Sequence, residues 1–200
     1  MQTRSSQSGF SLIELLISMT IFSVVVTMAT GTLLVLLDAN NKAQNMQAVL
    51  NDLTIAIDSM TREVRTGYNY VCADENTPPS TVPSLGDTAD CVSGNYLSII
   101  EAGDSLTGGG NPRVSYYYDD DPNARAIFRR IGTGDWIQLT ARNLRITDAE
   151  FVVTGTDSFL INDLQQPSVT IFVAGEAGDL LGLDSDFVLQ TTVVQRPLDI

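Results

Sequence analysis

The chain has 200 residues, of which 44% are hydrophobic, and this is enough for one modest domain with a core. It carries 24 acidic and 11 basic side chains, a net charge of -13, so a nucleic acid is not expected as its main partner. Histidine is absent, which removes the usual general base and the commonest zinc ligand. We therefore assign no catalytic residues and no metal ligands, and we do not expect an enzyme.

From Phe10 to Leu37 the sequence has a single charged side chain, Glu14. As a helix this segment would be about 42 Å long, against about 30 Å for the hydrocarbon layer of a bilayer, so it can span a membrane. A charge within hydrocarbon costs a few kcal/mol and persists only where something compensates it. A capping box from Ser11 to Glu14 could compensate the Glu14 charge locally, through the free N–H groups at the start of the helix. Otherwise the compensating group must come from another molecule.

The stretch GFSLIELL, from Gly9 to Leu16, resembles the prepilin-type cleavage and methylation signature of type IV pilins and type II secretion pseudopilins. The resemblance implies that residues 1–9 are a leader, removed by an inner-membrane aspartic peptidase that cuts between Gly9 and Phe10 and methylates the new amino terminus. It also implies that Glu14 faces the amino group of Phe10 in a neighbouring filament subunit. Glycine suits its position because a residue without a Cβ lets the backbone enter a narrow peptidase cleft.

A second, amphipathic segment at 38–66 continues the helix beyond the membrane-spanning segment 10–37. Apolar residues recur there at helical spacing along one face, with polar residues opposite. The apolar positions are Met46, Val49, Leu50, Leu53, Ile57, Met60 and Val64. We expect the helix to end near Gly67 and to lie half-buried against a globular head at 67–200. Gly31 should weaken the helix, because glycine costs about 1 kcal/mol relative to alanine.

Two cysteines, Cys72 and Cys91, lie 19 positions apart in a stretch rich in proline, serine, threonine and aspartate. They form no C-x-x-C pattern of the redox or zinc type. A disulfide between them would close a loop of about 20 residues and stabilise the protein by about 3 kcal/mol. We predict this disulfide, which suits an exported protein, and two buried thiols are the alternative.

The rest of the chain shows strand patterns separated by turns rich in glycine, aspartate, asparagine and proline. The predicted strands are Tyr96 to Ile100, Val114 to Tyr118, Ala126 to Ile131, Trp136 to Leu139, Leu144 to Val153, Val169 to Ala174 and Phe187 to Val194. Successive strands should form an antiparallel meander. The predicted fold class is α+β, a pilin-like arrangement of one long N-terminal helix packed on a mainly antiparallel β head.

Two groups of aspartates in the head could ligate calcium, as some pseudopilins do. The groups are Asp119, Asp120 and Asp121, and Asp179, Asp184 and Asp186. The spacing of an EF-hand is missing, and turns use aspartate for local hydrogen bonds. We therefore predict no cofactor and keep calcium as the weaker alternative.

The arginines and tyrosines of the predicted strands are expected to have structural roles. Four arginines could form a basic patch, but we expect outward-facing strand residues paired with acids. They are Arg129, Arg130, Arg142 and Arg145. Three consecutive tyrosines, Tyr116 to Tyr118, alternate between the faces of a strand, so at least one should enter the core.

Two longer stretches resemble W-type minor pilins and J-type minor pseudopilins. One is DSMTREVRTGYNY, from Asp58 to Tyr70, where an acidic residue lies among arginines. A solvated charged turn at Arg62, Glu63 and Arg65 is the alternative. The other runs from Val114 to Val153, where a tyrosine-rich strand, an arginine-ended strand and a tryptophan strand follow in the same order.

This resemblance implies a non-catalytic structural subunit that helps to prime or cap a type IV pilus or a type II secretion pseudopilus. It implies a single-pass protein of the bacterial inner membrane with a periplasmic head, which later enters the filament. The implied partners are the prepilin peptidase, other minor and major pilins or pseudopilins, and inner-membrane lipid. The alternative is a membrane-anchored binding module whose head recognises an exoprotein, a surface or a calcium ion.

Overall fold

One long helix, α1 (Leu12–Thr66), forms the N-terminal part of the chain. The computed structural model describes residues 9–75, 78–101, 113–141, 144–156, 165–177 and 185–196. The chain divides into two compact units, 1–44 and 45–200, and α1 contributes residues to both. The helix continues through Gly31 without a break and ends one residue before Gly67, as predicted.

The helix ends at Thr66, and the next residue, Gly67, makes the last hydrogen bonds of the helix in a crowded position. The Gly67 N–H donates to the carbonyls of Glu63 (2.9 Å) and Val64 (3.2 Å). A Cβ on Gly67 would lie 3.0 Å from the Glu63 carbonyl oxygen and 3.1 Å from that of Ile100, which only a glycine avoids. The buried Tyr70 hydroxyl lies 2.7 Å from the Val64 carbonyl and 2.8 Å from the Gly67 carbonyl, so it adds a side-chain donor to the acceptors of the helix end.

In the first unit, the described residues 9–44 are all exposed. Five serine and threonine hydroxyls of this apolar stretch donate to the carbonyl one turn before them. They are Ser18, Thr20, Thr27, Thr30 and Thr32. Because these hydroxyls are satisfied within the helix, they do not oppose its transfer into an apolar environment.

In the second unit, nine strands form two antiparallel sheets within the described residues. The strands are β1 (Tyr68–Ala73), β2 (Cys91–Gly94), β3 (Tyr96–Ile100), β4 (Arg113–Asp119), β5 (Ala126–Ile131), β6 (Ile137–Gln138), β7 (Leu144–Thr154), β8 (Ser168–Ala177) and β9 (Ser185–Val194). One sheet has the order β1-β3-β4-β5-β6, and the other has the order β2-β7-β8-β9.

The predicted α+β class and all seven predicted strands are confirmed, whereas β1 and β2 were not predicted. Both lie in or next to the stretch whose prolines, serines and aspartates favour loops. They become strands because β1 pairs with β3 and β2 pairs with β7, contacts that local propensity does not contain. The predicted antiparallel meander of successive strands is confirmed for β3 to β6 and for β7 to β9, and the two runs lie in different sheets.

The core lies between one face of α1 and the inner faces of both sheets. The buried helix residues are Val49, Leu53, Ala56, Ile57, Met60 and Val64. Leu50 was predicted to belong to this face but is 39% exposed, and Ala56 takes its place. Leu50 lies at the margin of the apolar stripe, where a small shift in helix rotation decides burial.

The opposite face of the first sheet is covered by the proline-containing segment that starts at residue 78. The buried guanidinium of Arg113 donates to the carbonyls of Ser84 (2.7 Å) and Asp87 (2.8 Å) in this segment. The Arg130 guanidinium donates to the Pro79 carbonyl (2.6 Å) and stacks on Trp136, 4.4 Å from the ring centroid. This cover explains why all three residues from Tyr116 to Tyr118 are buried, although they alternate between faces.

The covering segment is tied at its far end by the predicted disulfide. Cys72 in β1 and Cys91 in β2 are bonded, with their Cα atoms 5.5 Å apart. A short parallel bridge between Val71 and Ala89 lies beside it. The disulfide therefore joins the edge strands of the two sheets as well as the two ends of the segment between them.

Removing this disulfide should lower the free energy of unfolding by about 2–3 kcal/mol, because the unfolded chain regains the freedom of a loop of about 20 residues. The double variant Cys72→Ala/Cys91→Ala leaves no lone thiol. Denaturant unfolding, with and without a reductant, measures the effect. The wild type should lose stability in reductant while the double variant should not change. Equal stability of the two proteins without reductant would contradict the prediction.

Candidate functional site

The N-terminal motif residues lie where the chain enters its helix. Gly9 to Ser11 precede α1, and the Ser11 carbonyl accepts the N–H groups of Glu14 (3.1 Å) and Leu15 (3.2 Å). Glu14 is in the first turn, close to the free N–H groups that form the positive end of the helix dipole. The backbone alone thus starts this helix.

The capping box, which was the alternative to an intermolecular partner, does not form within the described part of the chain. The Ser11 hydroxyl and the Glu14 carboxylate have no hydrogen-bond or ion-pair partner among those residues, and both side chains are exposed. The carboxylate is therefore free to meet a group from outside the chain.

The apolar side chains around Glu14 are uncovered. Phe10 is 81% exposed, Leu12 79% and Ile13 62%, and the exposed stripe continues to Leu37. Apolar surface of this extent needs a lipid or protein partner. By length and composition, α1 is the one helix in the described ranges that is able to cross a membrane.

The family model of the prokaryotic N-terminal methylation motif matches residues 4–30. This motif is the prepilin-type N-terminal signature of type IV pilin-like proteins, and the match covers 27 of the 200 residues. Comparison with curated proteins and with solved structures gave no significant match. Pilin-like proteins are generally structural subunits without catalytic activity. The motif implies processing by a prepilin peptidase and assembly with pilins, and the apolar helix is consistent with anchoring in the inner membrane.

The second unit of this pilin-like chain contains a charged cluster where α1 meets the first sheet. Arg129 donates to Glu63 through two nitrogens, Nη2 to Oε1 (2.9 Å) and Nε to Oε2 (3.2 Å). The hydroxyl of the buried Tyr116 donates to the same carboxylate. Glu63 is thus held by a bidentate guanidinium and a phenol.

The two donors of the cluster, Arg129 and Tyr116, both have a raised pKa and stay protonated over the ordinary pH range. Burial raises the pKa of the Tyr116 phenol, and the nearby Glu63 carboxylate raises it further. Burial lowers the pKa of Arg129, but the hydrogen bond and the charge of Glu63 outweigh it and leave the pKa raised. A cluster whose donors stay protonated acts as a clamp between helix and sheet rather than as an acid or a base.

Glu63 therefore differs from the solvated charged turn that was one of the two predictions for this stretch. Arg62 and Arg65 are exposed, as that prediction requires, but Glu63 is half-buried. Its partners lie 53 and 66 positions away in β4 and β5. Local sequence carries no signal of such a contact, and this is why the cluster was not predicted.

The other arginines of the head do not form a basic patch among the described residues. Arg145 in β7 pairs with Glu176 at 3.6 Å and is largely exposed, as predicted. Arg130 was expected to face outward and is instead buried beneath the covering segment. Arg142 lies outside the described residues.

The aspartates considered for calcium serve a turn where the structure describes them. Asp119 Oδ1 accepts the Asp121 N–H (3.0 Å), and Asp121 Oδ1 accepts the Asn123 N–H (2.8 Å). No group of three potential ligands is arranged for a metal ion among the described residues. Asp179 and Asp184 of the second group lie outside the described residues.

Proposed function

We propose that this chain is a minor pilin or minor pseudopilin that helps to prime or cap a type IV pilus or a type II secretion pseudopilus. Residues 1–9 are removed by cleavage between Gly9 and Phe10, and Phe10 is N-methylated. The helix from Phe10 to Leu37 then holds the subunit in the inner membrane and later packs in the filament core.

The observation that carries this proposal is the Glu14 carboxylate, which has no partner among the described residues and lies on an apolar helix. Glu14 follows the proposed cleavage site by one helical turn, and exposed apolar side chains surround it. A charge in that environment costs a few kcal/mol unless it is neutralised. Cleavage creates a new amino group on Phe10, and in a filament this group on a neighbouring subunit can pair with Glu14. The pair sets the axial register, and helix packing supplies the remaining contacts.

The second unit supports a structural rather than a catalytic role. The cluster of Glu63, Arg129 and Tyr116 joins the end of α1 to the first sheet through side-chain hydrogen bonds. The resemblance to W-type minor pilins and J-type minor pseudopilins in the same strands favours a place at the tip. A subunit at the tip is present in few copies per filament. Quantitative labelling that finds the chain along filaments at the level of the major subunit would contradict a position at the tip.

Leader processing tests the proposal directly. Intact mass and N-terminal sequencing of the chain, produced with and without a prepilin peptidase, should show loss of residues 1–9 and a methylated Phe10 only with the peptidase. Gly9→Val should retain the leader. A Cβ at Gly9 meets nothing within 4 Å in the structure, so this change does not disturb folding and isolates the peptidase step.

A matched control is Gly31→Val, which adds the same side chain to another uncrowded glycine of the first unit. This variant should be processed like the wild type. A leader that stays attached in the wild type despite an active peptidase would overturn the proposal.

A further inference from the structure

The face of the first sheet that lies beneath the covering segment carries a row of polar and aromatic side chains. Residues that are directly opposite in neighbouring strands share a face of the sheet. The pairs Tyr96–Tyr117, Ser98–Ser115 and Ser115–Arg130 therefore lie on one surface. All five residues are buried, with exposures of at most 4%, and neither tyrosine belongs to the hydrophobic core. The covering segment thus buries a second, mainly polar surface.

Three side chains of the sheet hold the covering segment, residues 78–90, through its backbone. They are Arg113, Arg130 and Asn69, and all three donate to main-chain carbonyls of the segment, at distances of 2.6 Å to 3.2 Å. The accepting carbonyls belong to Pro79, Thr81, Ser84, Leu85 and Asp87. Every polypeptide has such carbonyls, so these bonds recognise an extended main chain and do not depend on its side chains.

The covering segment has the composition of a chain that is extended before it binds. Pro78, Pro79 and Pro83 lie within six residues, and residues 78–88 form no helix and no strand. Proline restricts the backbone, so a proline-rich chain loses little conformational freedom on binding. Such segments dock in grooves lined by aromatic side chains. Trp136 supplies this lining here, with its ring centroid 5.9 Å from that of Tyr117.

The covering segment leaves part of this surface unsatisfied. The Tyr117 hydroxyl and the Arg130 Nε are buried and have no hydrogen-bond partner in the described part of the chain. A buried polar group without a partner is costly. No residue of the covering segment is itself buried, so little apolar surface holds the segment in place. The segment therefore closes the surface without matching it fully.

We propose that this face of the first sheet is a binding site for an extended, proline-rich segment of another protein, and that the covering segment fills the site as an autoinhibitory strap. An incoming segment replaces the carbonyls that accept from Arg113 and Arg130. Its side chains can also supply acceptors for the Tyr117 hydroxyl and the Arg130 Nε, which the covering segment leaves without partners.

The disulfide controls how easily the covering segment leaves the site. Cys72 and Cys91 are bonded, and Val71 pairs with Ala89 beside them, so both ends of the segment are fixed. The segment must therefore lift away while its ends stay in place. A site that is open for only a fraction of the time binds its ligand with an affinity reduced by that fraction. Removal of the disulfide should raise the open fraction and with it the affinity.

The test measures binding of a fluorescent synthetic peptide with the sequence of residues 78–90 to the full chain in detergent micelles, by fluorescence anisotropy. Cys72→Ala/Cys91→Ala should bind the peptide about tenfold or more tightly than the wild type, because its site is open more often. The control peptide has alanine in place of all three prolines. It should bind the same variant about tenfold or more weakly, because it is less extended before it binds.

A second set of variants, made in the Cys72→Ala/Cys91→Ala background, locates the site. Arg130→Gln should weaken peptide binding about tenfold or more, since it removes a guanidinium that donates to the bound backbone. The matched control is Arg145→Gln, which changes an exposed arginine of the second sheet and should bind like its parent. Trp136 is the one tryptophan of the chain, so its fluorescence should change when the peptide binds. Circular dichroism checks that the variants are folded.

Failure of both the wild type and the double cysteine variant to bind the peptide would overturn the proposal. Equal affinity of these two proteins would also overturn it, because the covering segment would then not compete for the site. The comparison of the two peptides needs no further variant, and equal binding of both would rule out a site for proline-rich chains. None of these measurements involves leader processing or Glu14, so they test the site separately from the proposed function.

Discussion

Replacing Glu14 by leucine should exclude the chain from its filament complex while leaving membrane insertion intact. Leucine inserts into a bilayer more favourably than glutamate, so the anchor itself improves. In the filament, however, the change leaves the Phe10 amino group of a neighbour without its counter-charge in an apolar core. Removing one partner of a buried ion pair costs about 3–5 kcal/mol, so incorporation should fall by about a hundredfold or more. Quantitative immunolabelling of purified filaments measures the incorporation of the variant.

The variant Glu14→Gln distinguishes an intermolecular ion pair from a capping role of Glu14 at the start of the helix. Glutamine serves as well as glutamate in a capping box, so a capping role predicts that this variant assembles normally. An ion pair predicts that it fails, because the amide carries no charge. Ser18→Ala is the matched control, since it removes a hydroxyl one turn further along without touching the carboxylate, and it should assemble like the wild type. Normal incorporation of the glutamine variant would contradict the proposed pairing.

Glu63→Ala should lower the free energy of unfolding by about 3–4 kcal/mol, since it leaves the Arg129 guanidinium without its counter-charge and the buried Tyr116 phenol without its acceptor. The ion pair is partly screened, with side-chain exposures of 24% for Arg129 and 15% for Glu63, and this limits its share of the loss. Denaturant unfolding of the full chain in detergent, followed by tyrosine and tryptophan fluorescence, measures the change.

Variants at the same helix end isolate the contribution of the cluster. Arg65→Ala removes an exposed charge two residues away and should change stability by less than about 0.5 kcal/mol. Glu63→Gln keeps an acceptor but loses the charge, so its loss should lie between the other two. A Glu63→Ala variant no less stable than Arg65→Ala would show that Glu63 is a solvated helix-end residue after all.

Local patterns were sufficient for the N-terminal part of this protein. Gly9, Phe10 and Glu14 lie within the matched N-terminal motif, and the run to Leu37 lies in a helix that is long and apolar enough to cross a membrane. The end of α1 at Thr66 was also predictable, because Gly67 is both a weak helix former and the residue that fits the crowded turn. Strands with clear turns between them, such as β3 and β5, were predicted with their observed bounds.

Residues that depend on distant partners were the ones mispredicted. Arg130 has the sequence context of a solvent-facing strand residue, yet the segment at Pro79 covers it and accepts its hydrogen bonds. β1 and β2 become strands by pairing with β3 and β7, which follow them later in the chain. Hydropathy and turn patterns describe a residue and its close neighbours in sequence. They therefore do not predict which distant segments of the chain pack against each other.

The sequence by itself determined the leader motif, the apolar helix with its single carboxylate, the strand content and the cysteine pair. Each of these depends on chemistry within a few residues or on composition. Only the tertiary structure decided that Glu63 pairs with Arg129 and that the strands divide into two sheets. These outcomes arise from long-range packing, where burial and pairing energies of several kcal/mol outweigh local preferences of about 1 kcal/mol or less.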